Sequence, residues 1–260
     1  MNKVALITGA SSGIGRELAA IHAAKGGDLV IVARRENKLN ELKTELEEAY
    51  NISVRVIAKD LAQPSAAAEI YQEVKDAGIE VEYLLNNAGF GGRGKFHERD
   101  WEADLNMINL NVVALTALTR LFLPDFVARN SGRILNVSST ASLLPGPLQA
   151  VYYATKAYVT SFSNAIAEEL HDTKVTVTAL LPGATETEFA QTSGMDKTDL
   201  FKNTFSAYSV AKAGYDGMID GKLDVLAGLT FMQKMMMASL PLTPKKMLLT
   251  QVRKMQEVAS

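Results

Sequence analysis

The sequence predicts an α/β fold, a doubly wound parallel sheet of about seven strands with helices on both faces. Three observations carry this. Short, continuously apolar runs recur along the chain, segments of helical composition separate them, and a glycine-rich turn joins the first run to the first helical segment. Strands covered on both faces are apolar throughout, and strand, helix, strand repeated in series winds a parallel sheet.

The apolar runs fall at residues 4–7, 29–33, 54–58, 83–85, 134–137 and 175–181, with a weaker seventh at 224–227. Between them, residues 14–25, 36–50, 65–77, 101–129 and 153–170 place apolar side chains three and four apart in helix-forming composition. No low-complexity linker or internal repeat interrupts the alternation, so a single domain over residues 1–260 is expected. Residues 183–205 lack a clear period and are expected to be a substrate loop, because long loops in compact domains are usually functional.

Composition narrows the function. The chain has 260 residues, 47% hydrophobic and 22% charged, and a formal net charge of -2. That balance points away from nucleic acid or a membrane as the main partner and toward a small molecule. Cysteine is absent, which excludes disulfides, thiolate nucleophiles and thiolate-bound zinc, and suits a reducing, cytoplasmic location. Met1, Asn2 and Lys3 pass straight into an apolar run, so no signal peptide is expected. No run reaches the roughly 18 consecutive apolar residues of a spanning segment. His22, His97 and His171 are scattered without ligand spacing, so neither a metal site nor a Ser-His-Asp triad is expected. Trp101, near a helix start, is expected to anchor packing.

The first strand runs into Thr8, Gly9, Ala10, Ser11, Ser12, Gly13, Ile14 and Gly15, and a helix follows. Gly9 permits the turn, Gly13 close approach of a pyrophosphate, and Gly15 tight packing of helix on strand. The helix start offers free N–H groups and partial positive charge to phosphates. The second strand ends in Arg34 and Arg35 where an acidic residue would select NAD. Guanidinium groups there favour the 2'-phosphate of NADP(H).

Tyr152 and Lys156 lie four apart at the start of a helix and share a face. A nearby ammonium is expected to favour the phenolate and bring the phenol toward the range of a general acid and base. Ser139 ends the preceding strand, at the edge where open α/β sheets bind ligands.

These residues carry a family resemblance. The chain resembles the short-chain dehydrogenase/reductase superfamily, in its short single-domain branch with a Rossmann-type sheet. The matching segments are TGASSGIG at 8–15, Asp60 with Leu61, NNAG at 86–89, Asn111, Ser139, the pair Tyr152 and Lys156, and PGxxxT from Pro182 to Thr187. The resemblance implies that Tyr152 passes its proton to the substrate oxygen and that Ser139 hydrogen-bonds that oxygen. Lys156 would bind the nicotinamide ribose while lowering the phenol's pKa, and Asn111 would fix a water linking Lys156 to solvent. It further implies that Asp60 and Leu61 meet the adenine, that Asn87, Ala88 and Gly89 line the adenosine side, and that Pro182, Gly183, Thr185 and Thr187 cradle the nicotinamide end. Val112, Val113 and Ala114 follow Asn111 where the third residue is often Gly, and Thr155 stands where Ser is frequent; neither departure removes a catalytic group. Tyr153 lacks the offset to Lys156 and is read as a packing or substrate contact.

The expected function is therefore an NADP(H)-dependent oxidoreductase acting on a carbonyl or alcohol carbon, with a homo-oligomer, dimer or tetramer, as its expected assembly. Leu143, Leu144, Pro145, Pro147, Phe96, Phe189 and Met195 suggest a fairly apolar substrate pocket. Two alternatives are a sugar-nucleotide epimerase or dehydratase, whose chains are longer, and a catalytically silent NADP-binding redox sensor, which would lack the Ser, Tyr or Lys. Residues 229–260 form a Met-rich, amphipathic C-terminal extension with Pro241, Pro244 and a basic last helix. It is expected to pack on the core or on a second subunit, with a lid or a membrane-surface contact as the other readings.

Overall fold

The computed structural model describes residues 3–196, 198, 201, 203–240 and 243–257. Pro241, named above, lies outside them. The central sheet has seven strands, all paired in parallel, in the order β3-β2-β1-β4-β5-β6-β9. These are β1 (Val4–Thr8), β2 (Asp28–Ala33), β3 (Val54–Ala58), β4 (Val81–Asn86), β5 (Arg133–Val137), β6 (Thr176–Pro182) and β9 (Asp224–Ala227). All seven predicted runs are strands, with ends shifted by one or two residues. The order reverses between β1 and β4, and such a switch point opens a crevice at the strands' C-terminal ends.

Helices α1 (Gly13–Ala23), α2 (Glu36–Tyr50), α3 (Ala66–Asp76), α4 (Trp101–Ile108), α5 (Leu115–Arg129) and α6 (Ala150–Glu169) connect these strands. Two apolar clusters result, one on each face of the sheet. One packs Leu18, Leu39 and Leu42 on Ile7, Ile31 and Leu135, and the other packs Ile70, Leu118 and Phe122 on Leu6, Val30 and Leu84. Residues 101–129 form one helical run, apolar and long enough by length and composition to span a membrane. Its Leu115, Leu118, Phe122 and Phe126 are nonetheless buried within the protein.

Several expectations are corrected. Residues 183–205 are not a bare loop: they contain β7 (Thr185–Glu186), helix α7 (Phe189–Ser193) and β8 (Phe205–Ser206), with β7 and β8 paired in parallel. Helix α8 (Ala207–Ile219) was not foreseen. Its Gly214 and Gly217 depress helix propensity, yet a Cβ at either would fall 2.6 Å from Leu180 Cδ2 or 2.3 Å from Val225 Cγ2. The glycines thus let the helix lie directly on the sheet. Trp101 is 58% exposed and anchors nothing.

The C-terminal extension divides in two. Helix α10 (Lys245–Gln256) buries Leu248, Val252 and Gln256, as expected of a helix packed on the core, whereas α9 (Phe231–Ser239) has no buried residue.

Candidate active site

The site grows from the glycine turn after β1. Gly9 and Gly13 have φ of +67° and +54°, a left-handed geometry that side chains resist. A Cβ on Gly15 would lie 2.3 Å from the Gly9 carbonyl oxygen and 2.4 Å from Asn87 Nδ2. Gly15 therefore packs beneath the turn. Gly13 does more than was expected of it, since a Cβ there would also fall 2.8 Å from Thr187 Cγ2.

The segment after β4 locks this turn. Asn87 Nδ2 donates to the Thr8 and Gly9 carbonyl oxygens at 2.9 and 3.3 Å, and the Asn87 and Ala88 N–H groups donate to Thr8 Oγ1 at 2.9 and 3.0 Å. The Asn87 side chain is thus committed to holding the glycine turn. At the start of α1, Ser12 makes no side-chain capping bond and the first turn carries no acidic residue. Its leading N–H groups are presented to the cleft, which suits a diphosphate.

A cavity of about 590 Å³ begins here and runs to Tyr152 and Lys156. Its near wall is lined by Gly9, Ser11, Ser12, Gly13 and Ile14, by Arg34 and Arg35 after β2, by Asp60 and Leu61 after β3, and by Asn87, Ala88 and Gly89. Its far wall includes Ser139, Tyr152, Lys156, Pro182, Gly183, Thr185 and Thr187. Of the predicted site residues only Gly15 and Asn111 stand behind the wall. The volume falls within the roughly 300–1,000 Å³ of small-molecule sites.

Arg35 reaches across the glycine turn. Its guanidinium donates to Ser11 Oγ at 3.1 Å and Ser12 Oγ at 2.9 Å, and pairs with Glu188 at 2.9 Å. Arg35 holds the Glu188 carboxyl below the usual range. Sequence reasoning missed Glu188, which no local pattern marks and which meets Arg35 only through the fold.

Tyr152 and Lys156 both lie on α6, 8% and 5% exposed. The Tyr152 phenol has Ser139 as a side-chain neighbour that eases its ionisation, and the Ser139 hydroxyl accepts from the Ala141 N–H at 3.1 Å. Lys156 Nζ donates to the Val137 carbonyl oxygen at 2.8 Å and lies 5.9 Å from the centre of the Tyr152 ring. Burial pushes the Tyr152 phenol well above its ordinary value, with only the neighbouring Ser139 opposing. The expected acidification by the ammonium is therefore corrected: in this arrangement desolvation of the phenolate wins. The same burial brings the Lys156 ammonium down to about 8.

Asn111 sits in a π-helical turn, Asn109–Ala114, between α4 and α5. Its amide bonds both main-chain groups of Phe90, accepting at 3.1 Å and donating at 2.9 Å, and also donates to Thr155 Oγ1 at 3.1 Å. A Cβ on Gly89 would lie 3.0 Å from Asn111 Oδ1 and 3.4 Å from Lys156 Nζ. Asn111 and Lys156 thus flank Gly89, and the widened helical turn that carries Asn111 is of a kind common at functional sites. Thr155, the departure from Ser, keeps the hydroxyl that Asn111 uses.

The substrate end is lined by Phe90, Gln149, Tyr153, Phe189, Met195 and Phe201. Phe189 and Met195 match the expected apolar pocket. Phe96, 62% exposed, and Leu143, 38% exposed, do not line it, and neither do Leu144, Pro145 and Pro147. Gln149 was missed: it is the residue just before α6, with non-helical backbone angles, so helix spacing does not mark it. Tyr153 accepts from Gln256 Nε2 of α10 at 2.8 Å, and burial pushes its phenol up to about 12. Among the described residues no cluster of His, Cys, Asp or Glu could hold a metal ion.

Comparison with known proteins agrees with this geometry. Residues 3–198 match the family model described as short chain dehydrogenase. The chain is 32% identical over 226 residues to human very-long-chain 3-oxoacyl-CoA reductase, covering 84% of this chain and 71% of the relative. In the rat counterpart the match spans 61% of the relative. Identity is 34% over 193 residues to the NADP-dependent 3-hydroxy acid dehydrogenase of Schizosaccharomyces pombe, covering 72% and 73%. A short-chain dehydrogenase from Sphingobium yanoikuyae, solved in complex with NADPH, superposes with a TM-score of 0.80 at 32% identity, covering 86% of this chain and 87% of that one.

Proposed function

The chain belongs to the short-chain dehydrogenase family, and on that premise we propose that it is an NADP(H)-dependent oxidoreductase acting on a small, fairly apolar carbonyl or alcohol, with Tyr152 as general acid and base. One observation carries the reading. Tyr152 and Ser139 line the same cavity as the glycine turn and Arg35. The nicotinamide, when bound, supplies or accepts the hydride.

The roles follow from the side chains. Burial holds the Tyr152 phenol in its protonated form at neutral pH, so it can give a proton to a carbonyl oxygen as hydride arrives. The Ser139 hydroxyl donates to the same oxygen as negative charge develops there. Lys156, with an ammonium near 8, can return a proton to the phenolate and bond a ribose hydroxyl. Arg35 and Arg34 bind the 2'-phosphate, and the uncapped start of α1 binds the diphosphate.

Two relatives carry names that refer to oxygen at the third carbon of an acid or acyl group. Together with Phe189, Met195 and Phe201 in the wall, this makes a 3-oxoacyl compound the first substrate to test. The sensor alternative is not favoured, because Ser139, Tyr152 and Lys156 are all present and share one site. An NADPH-oxidation screen over aldehydes, ketones and 3-oxoacyl thioesters, with Tyr152→Phe as blank, tests the proposal. Wild-type turnover that collapses in the variant while NADPH still binds supports it; equal rates in the two proteins overturn the assignment of Tyr152.

A further inference from the structure

Helix α9 presents an unusual surface. Phe231 is 78% exposed, Met232 75%, Met235 56% and Met236 39%. At 100° per residue these four share one face, with Lys234 at its border. The helix is formed in advance of any contact: Thr230 and Gln233 make a reciprocal capping box at its start. A nine-residue helix is marginal in water without a packed face, and this one buries no residue.

Charge identifies what covers it. Residues 229–257 carry Lys234, Lys245, Lys246, Arg253 and Lys254 against the single carboxylate of Glu257, in a chain whose net charge is -2. On α10 the buried Leu248, Val252 and Gln256 define the inner face, which leaves exposed Lys246, Arg253 and Lys254 on the outer one, with Met247, 63% exposed, among them. Arg253 pairs with Glu257 at 3.0 Å. Two copies meeting through this face would oppose cation to cation. An apolar helix bordered by cations matches instead the interface of an anionic bilayer, where methionine and phenylalanine enter the acyl boundary and lysines meet phosphate groups.

We propose that α9 and the outer face of α10 form a docking surface for an anionic lipid membrane. The surface is tied to the substrate end of the cavity, because Gln256 of α10 donates to the Tyr153 hydroxyl at 2.8 Å and accepts from Arg93 Nε at 2.7 Å through its carbonyl oxygen. A membrane-docked molecule would draw its apolar substrate from the bilayer. The docking itself does not depend on the identity of that substrate, or on the enzyme being active.

The test is co-sedimentation of the full chain with vesicles of phosphatidylcholine alone and of phosphatidylcholine mixed with phosphatidylserine. Three proteins are compared: wild type, Phe231→Ser/Met232→Ser/Met235→Ser, and Lys245→Glu/Lys246→Glu. Unchanged circular dichroism and NADPH affinity establish that each variant is folded. Wild type should pellet preferentially with the anionic vesicles and be released by salt, the serine variant should lose binding to both, and charge reversal should cut anionic binding by ~25-fold or more, at about fivefold for each of the two cations removed. Failure of wild type to pellet with anionic vesicles overturns the proposal. So does equal partitioning of wild type and charge-reversed protein, or wild-type dimerisation in sedimentation velocity that the serine variant abolishes.

Discussion

Lys156 Nζ donates to the main-chain oxygen of Val137 at 2.8 Å and lies 5.9 Å from the centre of the Tyr152 ring, so the ammonium is anchored to the end of β5 beside the tyrosine four residues before it. This anchoring fixes the ammonium beside Gly89 and Asn111, where a ribose hydroxyl can reach it. It also leaves the charge buried, with an ordinary value brought down to about 8.

That depression has a consequence for stability. The folded state holds the Lys156 proton less tightly than the unfolded chain, whose lysine titrates near its ordinary 10.5. The burial cost is therefore fully present below pH 8 and is relieved as pH rises from about 8 toward 10.5. The cost is on the order of 3 kcal/mol. In urea unfolding, Lys156→Met should gain on wild type most at pH 7 and lose most of that advantage by pH 10. A difference independent of pH would show that the lysine is not titrating in this window.

Glu188 occupies the Arg35 guanidinium that a 2'-phosphate would need. The pair is 44% and 54% exposed at its side chains, so its own worth is small, about 0–1 kcal/mol. Its effect on a 2'-phosphate is larger, because the phosphate must share or displace the carboxylate. Glu188→Gln should tighten NADPH binding several-fold and leave NADH unchanged, whereas Arg35→Asp should reverse the preference. Fluorescence titration with both nucleotides measures each effect.

Gly15 has no room for a side chain. Its Cβ would meet the Gly9 oxygen at 2.3 Å, backbone against backbone, which no rotamer relieves. Gly15→Ala should lower stability by about 1–3 kcal/mol, the usual range of overpacking, and weaken nucleotide binding. Thermal unfolding reads the first effect. An unchanged midpoint would mean that the turn is not packed as described.

Gln256 joins α10 to the substrate wall. Gln256→Ala removes the donor to Tyr153 and leaves that half-buried hydroxyl with one partner fewer. The expected outcome is a raised KM for substrate, with NADPH affinity unchanged, since α10 contributes nothing to the nucleotide end of the cavity. A parallel loss of NADPH affinity would count against a role confined to substrate.

Much of the protein was legible in one dimension. The seven strands follow from apolar runs, because a parallel strand buried on both faces has no other composition open to it. The glycine turn and the spacing of Tyr152 to Lys156 are local geometry, fixed by backbone conformation and helix periodicity. Helix α8 escaped because Gly214 and Gly217 weaken its local signal, and their purpose, contact with Leu180 and Val225, exists only across the sheet. Trp101 and Phe96 misled for the opposite reason: large aromatic residues suggest a packing anchor or a pocket wall, yet these two are 58% and 62% exposed.

The sequence alone determined the order of strands and helices, the phosphate-binding turn, and which tyrosine shares a face with the lysine, since each depends on residues close together in the chain. The tertiary structure decided the rest. Whether the phenol is acidic depends on burial from every side, whether Arg35 is free depends on a carboxylate 153 residues away, and whether α9 packs depends on what surrounds it. Desolvation and long-range ion pairing are properties of the assembled molecule, and no local window of sequence contains them.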